Sequence, residues 1–140
     1  MNTIQVDIVS AEKEIFSGEA QMVFAPAIMG EVGIAPGHTP LVTKMNPGEV
    51  RVMDVDGNES AFYVSGGLLE VQPSIITVLS DTAERAEDLD EAAVVKAKEE
   101  AEKALHEKDS KIDYAKAQVA LAEAAAQLQT LQRLRKRSGR

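Results

Sequence analysis

Val64-Ser65-Gly66-Gly67-Leu68-Leu69-Glu70-Val71-Gln72-Pro73 sets β-branched and apolar residues on both sides of a glycine pair and stops at a proline. Two glycines inside a strand pattern mark a bulge or a point where another backbone comes close, because no Cβ holds it off. A phosphate-cradling loop would need those glycines to open a helix whose N-terminus faces the anion. The glycines here lead instead into Leu-Leu-Glu-Val-Gln-Pro, which cannot run far as a helix. The stretch reads as a strand junction.

Outward from it the pattern stays β. Ile4, Val6 and Ile8 alternate with polar residues, as a half-buried strand would. Short apolar runs occur at 22–25, 33–35, 41–43, 50–53, 62–64 and 75–79, bounded by turn residues such as Ser17-Gly18, Pro36-Gly37 and Pro47-Gly48. Many short strands at close spacing predict a sandwich or small barrel. Asp56-Gly57, between two apolar runs, is the clearest hairpin turn.

All five prolines and eight of the nine glycines precede residue 74, so a turn-rich part gives way to a helix-permissive one, with the boundary near Asp81 to Asp88. Beyond it, Asp88 with Glu91 resembles a capping box, and Ala93, Ala97, Ala101 and Leu105 recur every four residues. The polar stretch from His106 to Lys111 breaks that pattern, and Ser110 with Asp113 offers a second cap. Ala117, Leu121, Ala124, Leu128, Leu131 and Leu134 then form a narrow stripe. Two helices joined by a short polar loop make an antiparallel hairpin. Its alanine-rich contacts bury little area each, so it gains modest free energy and is free to change partner.

The net charge of −8 is unevenly shared: residues 1–87 hold 4 Lys and Arg against 13 Asp and Glu, and residues 88–140 hold 11 against 10. An acidic front half argues against nucleic acid, which needs a basic face, and with aromatics at 4% stacking platforms are scarce. Without cysteine there is neither a disulfide framework nor a thiolate metal site. The opening residues show no signal or transit pattern, and no apolar run approaches the roughly 20 residues of a membrane helix, so no direct membrane insertion is expected.

Candidate chemistry is sparse. His38 and His106 have no second histidine at i+3 or i+4, so both read as surface residues and no metal is expected. Ser65 lacks the preceding glycine of a G-x-S-x-G elbow. Asp81 and Asp90, as paired carboxylates, are explained as well by capping or solvation. The basic end, Arg133, Arg135, Lys136, Arg137 and Arg140, has two readings: cations complementing a helix C-terminus, or a tip that meets an acidic surface.

Further runs are specific. Asp7-Ile8-Val9-Ser10-Ala11-Glu12 with Phe16-Ser17-Gly18, the run from Gly30 to Leu41 (Gly-Glu-Val-Gly-Ile-Ala-Pro-Gly-His-Thr-Pro-Leu), the opening stretch, and Val78-Leu79-Ser80-Asp81-Thr82-Ala83 resemble the epsilon subunits of bacterial F-type ATP synthases along nearly the whole chain. The resemblance implies an N-terminal antiparallel β-sandwich (1–86) followed by a C-terminal α-helical hairpin (87–140). It implies a noncatalytic rotor subunit, peripheral on the cytoplasmic face of the bacterial inner membrane, which couples gamma to the c-ring. By the same resemblance, Ser10, His38 and Thr43 match positions facing gamma, and the loop with Glu31 the c-ring contact. The hairpin would fold on the sandwich or extend into the alpha and beta subunits, where a tip of Arg133, Arg135, Lys136 and Arg137 inhibits ATP hydrolysis.

Some members bind ATP through Ile or Leu, Asp, two variable residues, Arg, Ala. This chain has Leu89-Asp90-Glu91-Ala92-Ala93-Val94, with Ala93 in place of the arginine. Losing a charge-assisted bond of about 1.5–3 kcal/mol leaves ATP binding, through Asp90 and Arg85, weak or absent. A free-standing nucleotide sensor is the alternative reading, and requires Arg85 or Arg133 to replace the missing arginine. A hydrolase would require a nucleophile and base that the chain does not offer.

Overall fold

The computed structural model describes residues 2–106 and 111–138. Ten strands come first: β1 (Ile4–Ser10), β2 (Glu14–Ala20), β3 (Met22–Ala27), β4 (Gly30–Ile34), β5 (Leu41–Met45), β6 (Gly48–Met53), β7 (Glu59–Val64), β8 (Gly67–Val71), β9 (Ile75–Ser80) and β10 (Ala83–Arg85). A 3-10 turn, Ala86–Asp88, leads to helices α1 (Glu91–His106) and α2 (Lys111–Ser138). The strands run in the order β10-β7-β6-β3-β5-β8-β9-β1-β2, with β4 on β3. β10 also lies close to β1 and β2, so the sheet nearly closes on itself as a sandwich. One pair departs from the expected antiparallel pattern: β1 runs parallel to β9. The N-terminal strand slots between its hairpin partner β2 and β9, and the intervening strands serve as the crossover that a parallel pair requires.

Ile4, Val6 and Ile8 point inward as their alternation predicts and meet Val50, Phe62, Leu69, Ile76 and Val78 in one core. Phe16 packs on Phe62 with ring centroids 5.3 Å apart. The apolar runs do not mark strands β2 and β10; both are edge elements with mixed exposure, so their polar content hides them.

The glycine pair is the predicted junction between β7 and β8. Gly66 and Gly67 have φ of +107° and +118°, and a Cβ on Gly67 would overlap the Leu79 carbonyl oxygen and sit 2.9 Å from the Ser80 Cα. Next to them, Ser65 donates its hydroxyl to Ser80 Oγ (3.2 Å) and accepts from the Thr82 N–H (3.0 Å), while Ser80 Oγ donates to the Thr82 carbonyl (2.9 Å). Those bonds make Ser65 a staple across the junction. At the Asp56-Gly57 turn, Asp54 Oδ1 accepts from the Asp56 and Asn58 N–H groups at 2.9 Å each.

The hairpin corrects three expectations. Asp90, not Asp88, caps α1: its Oδ1 accepts from the Ala92 and Ala93 N–H groups at 3.1 and 3.3 Å, and Asp88 belongs to the preceding turn. The α1 stripe is also different. Of the expected residues Ala101 is buried and Leu105 partly so, but Ala93 and Ala97 are exposed, and Val94, packed with Tyr63 and Leu131, takes the buried place near the start of the helix. The α2 stripe is as expected, with Ala117, Ala124 and Leu131 buried and Leu121, Leu128 and Leu134 partly so. His106 closes α1 instead of lying in the connection, and the Ser110 cap lies outside the described residues.

Candidate functional site

The period of two along a strand builds a second, outward face. It sends Val50 and Val52 of β6 and Phe62 and Val64 of β7 into the sandwich core. The alternate positions Glu49, Arg51, Ala61 and Tyr63 therefore face the other way, with Glu49 directly across from Tyr63 and Arg51 across from Ala61 and Phe24. α2 lies against this face of β6 and β7. Tyr63, with no exposed surface, joins Leu89, Val94, Ala124 and Leu131 in a second apolar cluster that seals the hairpin to the sandwich.

Beside that cluster the seam is ionic. Glu49 is 3% exposed and accepts a two-pronged contact from Arg137, at 3.1 Å from Nη2 to Oε2 and 3.4 Å from Nη1 to Oε1. Arg133 Nη1 and Arg51 Nε each stand 3.7 Å from its Oε1. The network spreads outward: Arg137 also reaches Glu59 at 3.3 Å, and Arg51 pairs with Glu31 at 2.7 Å while stacking on Phe24 at 4.4 Å. Arg135 pairs with Glu91 at the start of α1. A buried carboxylate is tolerated only with such partners.

Among the described residues the Tyr63 hydroxyl finds no partner, and its pKa is pushed far above the usual phenol value, first by burial and then by the negative charges of Glu123 and Glu84. A group held protonated by the docked state adds stability that is fully present below its free value of about 10 and is lost as pH rises through the raised one. Docking of the hairpin should therefore be insensitive to pH near neutrality, where this contribution is fully present, and should weaken in strong alkali. Phenolate absorbance checks this: Tyr63 should ionise only with release of the hairpin. Ionisation of Tyr63 with the hairpin still docked would show that Tyr63 is open to water.

The residues singled out by sequence fall in separate places. Ser10 closes the β1–β2 turn, its hydroxyl donating to the Lys13 carbonyl (3.1 Å) and accepting from the Lys13 N–H (3.2 Å). His38 is half-buried, with Nδ1 donating to the Thr39 carbonyl at 2.6 Å, and Thr43 is half-buried on β5. Glu31 stands on β4 next to the exposed Ile28 and Met29 tip, and through Arg51 it joins the Glu49 network. Arg133, Arg135 and Arg137 meet acidic side chains of their own chain, and Lys136 is exposed. Asp90 is engaged as the α1 cap, and Arg85 lies over the Phe62 ring at 5.3 Å. Among the described residues no acidic or histidine cluster could hold a metal, and no helix is long and apolar enough to cross a membrane.

Motif reading does not single out Glu49 or Tyr63. Glu49 looks like any solvent-side strand position until a helix covers it. Tyr63 does leave a signal: Phe62-Tyr63-Val64 is three apolar residues in a row, which in a strand means both faces are covered.

A sandwich carrying a helical pair on one outer face, joined by an apolar cluster and ion pairs, defines a small two-part chain with no catalytic constellation among the described residues. Its β part (residues 3–86) matches the beta-sandwich domain of the ATP synthase delta/epsilon chain, and residues 87–132 match the long alpha-helix domain of the same chain. The ATP synthase epsilon chain of Nitrosococcus oceani is 63% identical over 137 residues, covering 98% of each chain. That of Alkalilimnicola ehrlichii is 60% identical over 140 residues, covering 100% of each. In fold, a chain of the Euglena gracilis mitochondrial ATP synthase superposes with a TM-score of 0.84 at 20% identity, over 94% of this chain and 82% of that one. The chain belongs to the ATP synthase delta/epsilon family, and it is an accessory chain of that complex, not its catalytic one.

Proposed function

We propose that the chain is a central-stalk rotor subunit whose sandwich couples gamma to the c-ring and whose hairpin inhibits ATP hydrolysis when it leaves the sandwich. The observation that carries this reading is the seam itself. A narrow alanine-rich helical pair rests on a finished sandwich, held at its tip by ion pairs that another acidic surface can replace. In this reading Ser10, His38 and Thr43 face gamma, the Ile28-Met29-Glu31 hairpin meets the c-ring, and Arg133, Arg135, Lys136 and Arg137 reach the alpha and beta subunits. The subunit works at the cytoplasmic face of the inner membrane, peripherally.

Co-purification with gamma tests the reading. The full chain should form a stoichiometric complex with gamma, and Thr43→Arg should weaken it without unfolding the sandwich. A folded chain that ignores gamma would overturn the rotor role.

ATP does not fit the motif present. Ala93 offers no guanidinium, and the Asp90 carboxylate is committed to two backbone N–H groups. Titration of the isolated chain with MgATP should show no binding at micromolar concentrations; a micromolar dissociation constant would contradict this.

A further inference from the structure

We propose that Arg51 is the positioning residue of the β3–β4 tip: by bracing Glu31 it holds Ile28 and Met29 outward, and those two apolar side chains, not the Glu31 carboxylate, make the c-ring contact. The proposal deepens the c-ring reading and rests on it for what the tip meets, whereas the brace belongs to the isolated chain. The turn between the two strands is Ile28-Met29, closed by the Ala27–Gly30 pair. Met29 is 93% exposed and Ile28 51%, and residues 27–30 carry no charge. The nearest charge in sequence is Glu31, whose Oε1 lies 2.7 Å from Arg51 Nη2. A carboxylate bonded to a guanidinium at that distance has its charge answered within the chain, so burial of the two apolar side chains is the source of affinity left to the tip.

The strand ladder explains why the tip needs a brace. Its β3 side is tied to β5, with the Ile28 N–H donating to the Lys44 carbonyl at 3.1 Å and the Asn46 N–H to the Pro26 carbonyl at 2.9 Å. On the other side, among the described residues, β4 pairs with β3 alone, so a single ladder sets its angle. Strand periodicity puts Arg51, Phe24, Gly33 and Glu31 on one face of three adjacent strands: Arg51 pairs with Phe24, Phe24 pairs with Gly33, and Glu31 stands two residues before Gly33. Gly33 leaves the ring its place, since a Cβ there would lie 3.2 Å from Phe24 Cε1 and 2.9 Å from Met22 Cε. The Arg51 guanidinium lies over that ring at 4.4 Å, crosses β3 and reaches β4. A partly exposed ion pair gains little when both side chains must first be ordered. Here the ring below it, and Glu49 at 3.7 Å from its Nε, order the arginine in advance.

Amide exchange in the full-length chain reads the brace. Glu31→Gln should speed exchange across residues 29–34 by about two- to fivefold, the range of a partly exposed pair, with β1 and β9 unchanged. Arg51→Gln should do the same, and the two together should add little to either. If Arg51→Gln disturbs the Glu49 seam as well, Glu31→Gln alone decides, and unchanged exchange in that variant overturns the proposal. In the assembled enzyme, proton pumping per ATP hydrolysed reads the contact. Met29→Asp should lower it severalfold, while Glu31→Gln and Arg51→Gln should each lower it by a smaller and similar factor. If the Glu31 carboxylate were itself the contact, Arg51→Gln would bare it and leave pumping unchanged or raised, and Glu31→Gln would abolish pumping; that pattern, or additive exchange in the isolated chain, overturns the proposal. Normal pumping by Met29→Asp, with exchange as expected, would instead withdraw the c-ring as the partner of the tip and leave the brace standing.

Discussion

Gly67→Ala should destabilise the sandwich by at least about 4 kcal/mol, enough to leave little folded protein at physiological temperature. Two costs add. An L-residue at φ of +118° is strained, by about 1–3 kcal/mol. The new methyl also overlaps the Leu79 carbonyl oxygen and presses on the Ser80 Cα at 2.9 Å, both backbone atoms that no rotamer change can move. Relief requires β8 and β9 to part where Leu68 pairs with Leu79. Gly57→Ala is the control: its φ is +84° but a Cβ there meets nothing within 4 Å, so it should cost only about 1–2 kcal/mol. Urea unfolding monitored by circular dichroism compares the two, and equal midpoints would show that the junction yields.

The β part is legible because its signals are local. Glycine pairs, Asp-Gly turns and period-two runs each specify backbone conformation within a few residues, so the junction at Gly66-Gly67 and the hairpin at Asp56-Gly57 are where the residues put them. The helix phase is less so. Ala93, Ala97 and Ala101 recur every four residues, yet alanine is tolerated on either face, so the stripe that includes Val94 is masked by a more regular but indifferent one. The cap obeys the same logic, since Asp88 and Asp90 both precede the helix and only the turn Ala86–Asp88 decides between them. Glu49 is beyond reach for a different reason. Its burial comes from a helix whose Arg137 lies 88 residues later, and the arginines around it show as a basic end needing an acidic surface without saying that the chain supplies one.

Deletion of everything after Ala86 should leave a folded sandwich, keep gamma bound, and raise ATP hydrolysis by the assembled enzyme severalfold. Folding should survive because every strand and the whole primary core precede that cut, the last core member being Ala83. The newly bared face is not a large apolar wound: Tyr63 regains water for a hydroxyl that, among the described residues, has no partner when docked, and Glu49 keeps Arg51 nearby. Under the proposed function the activation follows because, without its hairpin, the subunit has no cationic tip to place in the catalytic head. Reversal of Arg133, Arg135 and Arg137 to glutamate should reproduce part of that rise, since it removes the tip's charge but leaves its length. In the truncated chain Tyr63 should also ionise near the ordinary phenol value of about 10, because the burial that raised it has gone. The outcomes separate cleanly. Unchanged hydrolysis with gamma still bound would remove inhibition from the proposed function and leave coupling, whereas loss of gamma binding would mean that the helices, and not the sandwich, carry the shaft contact.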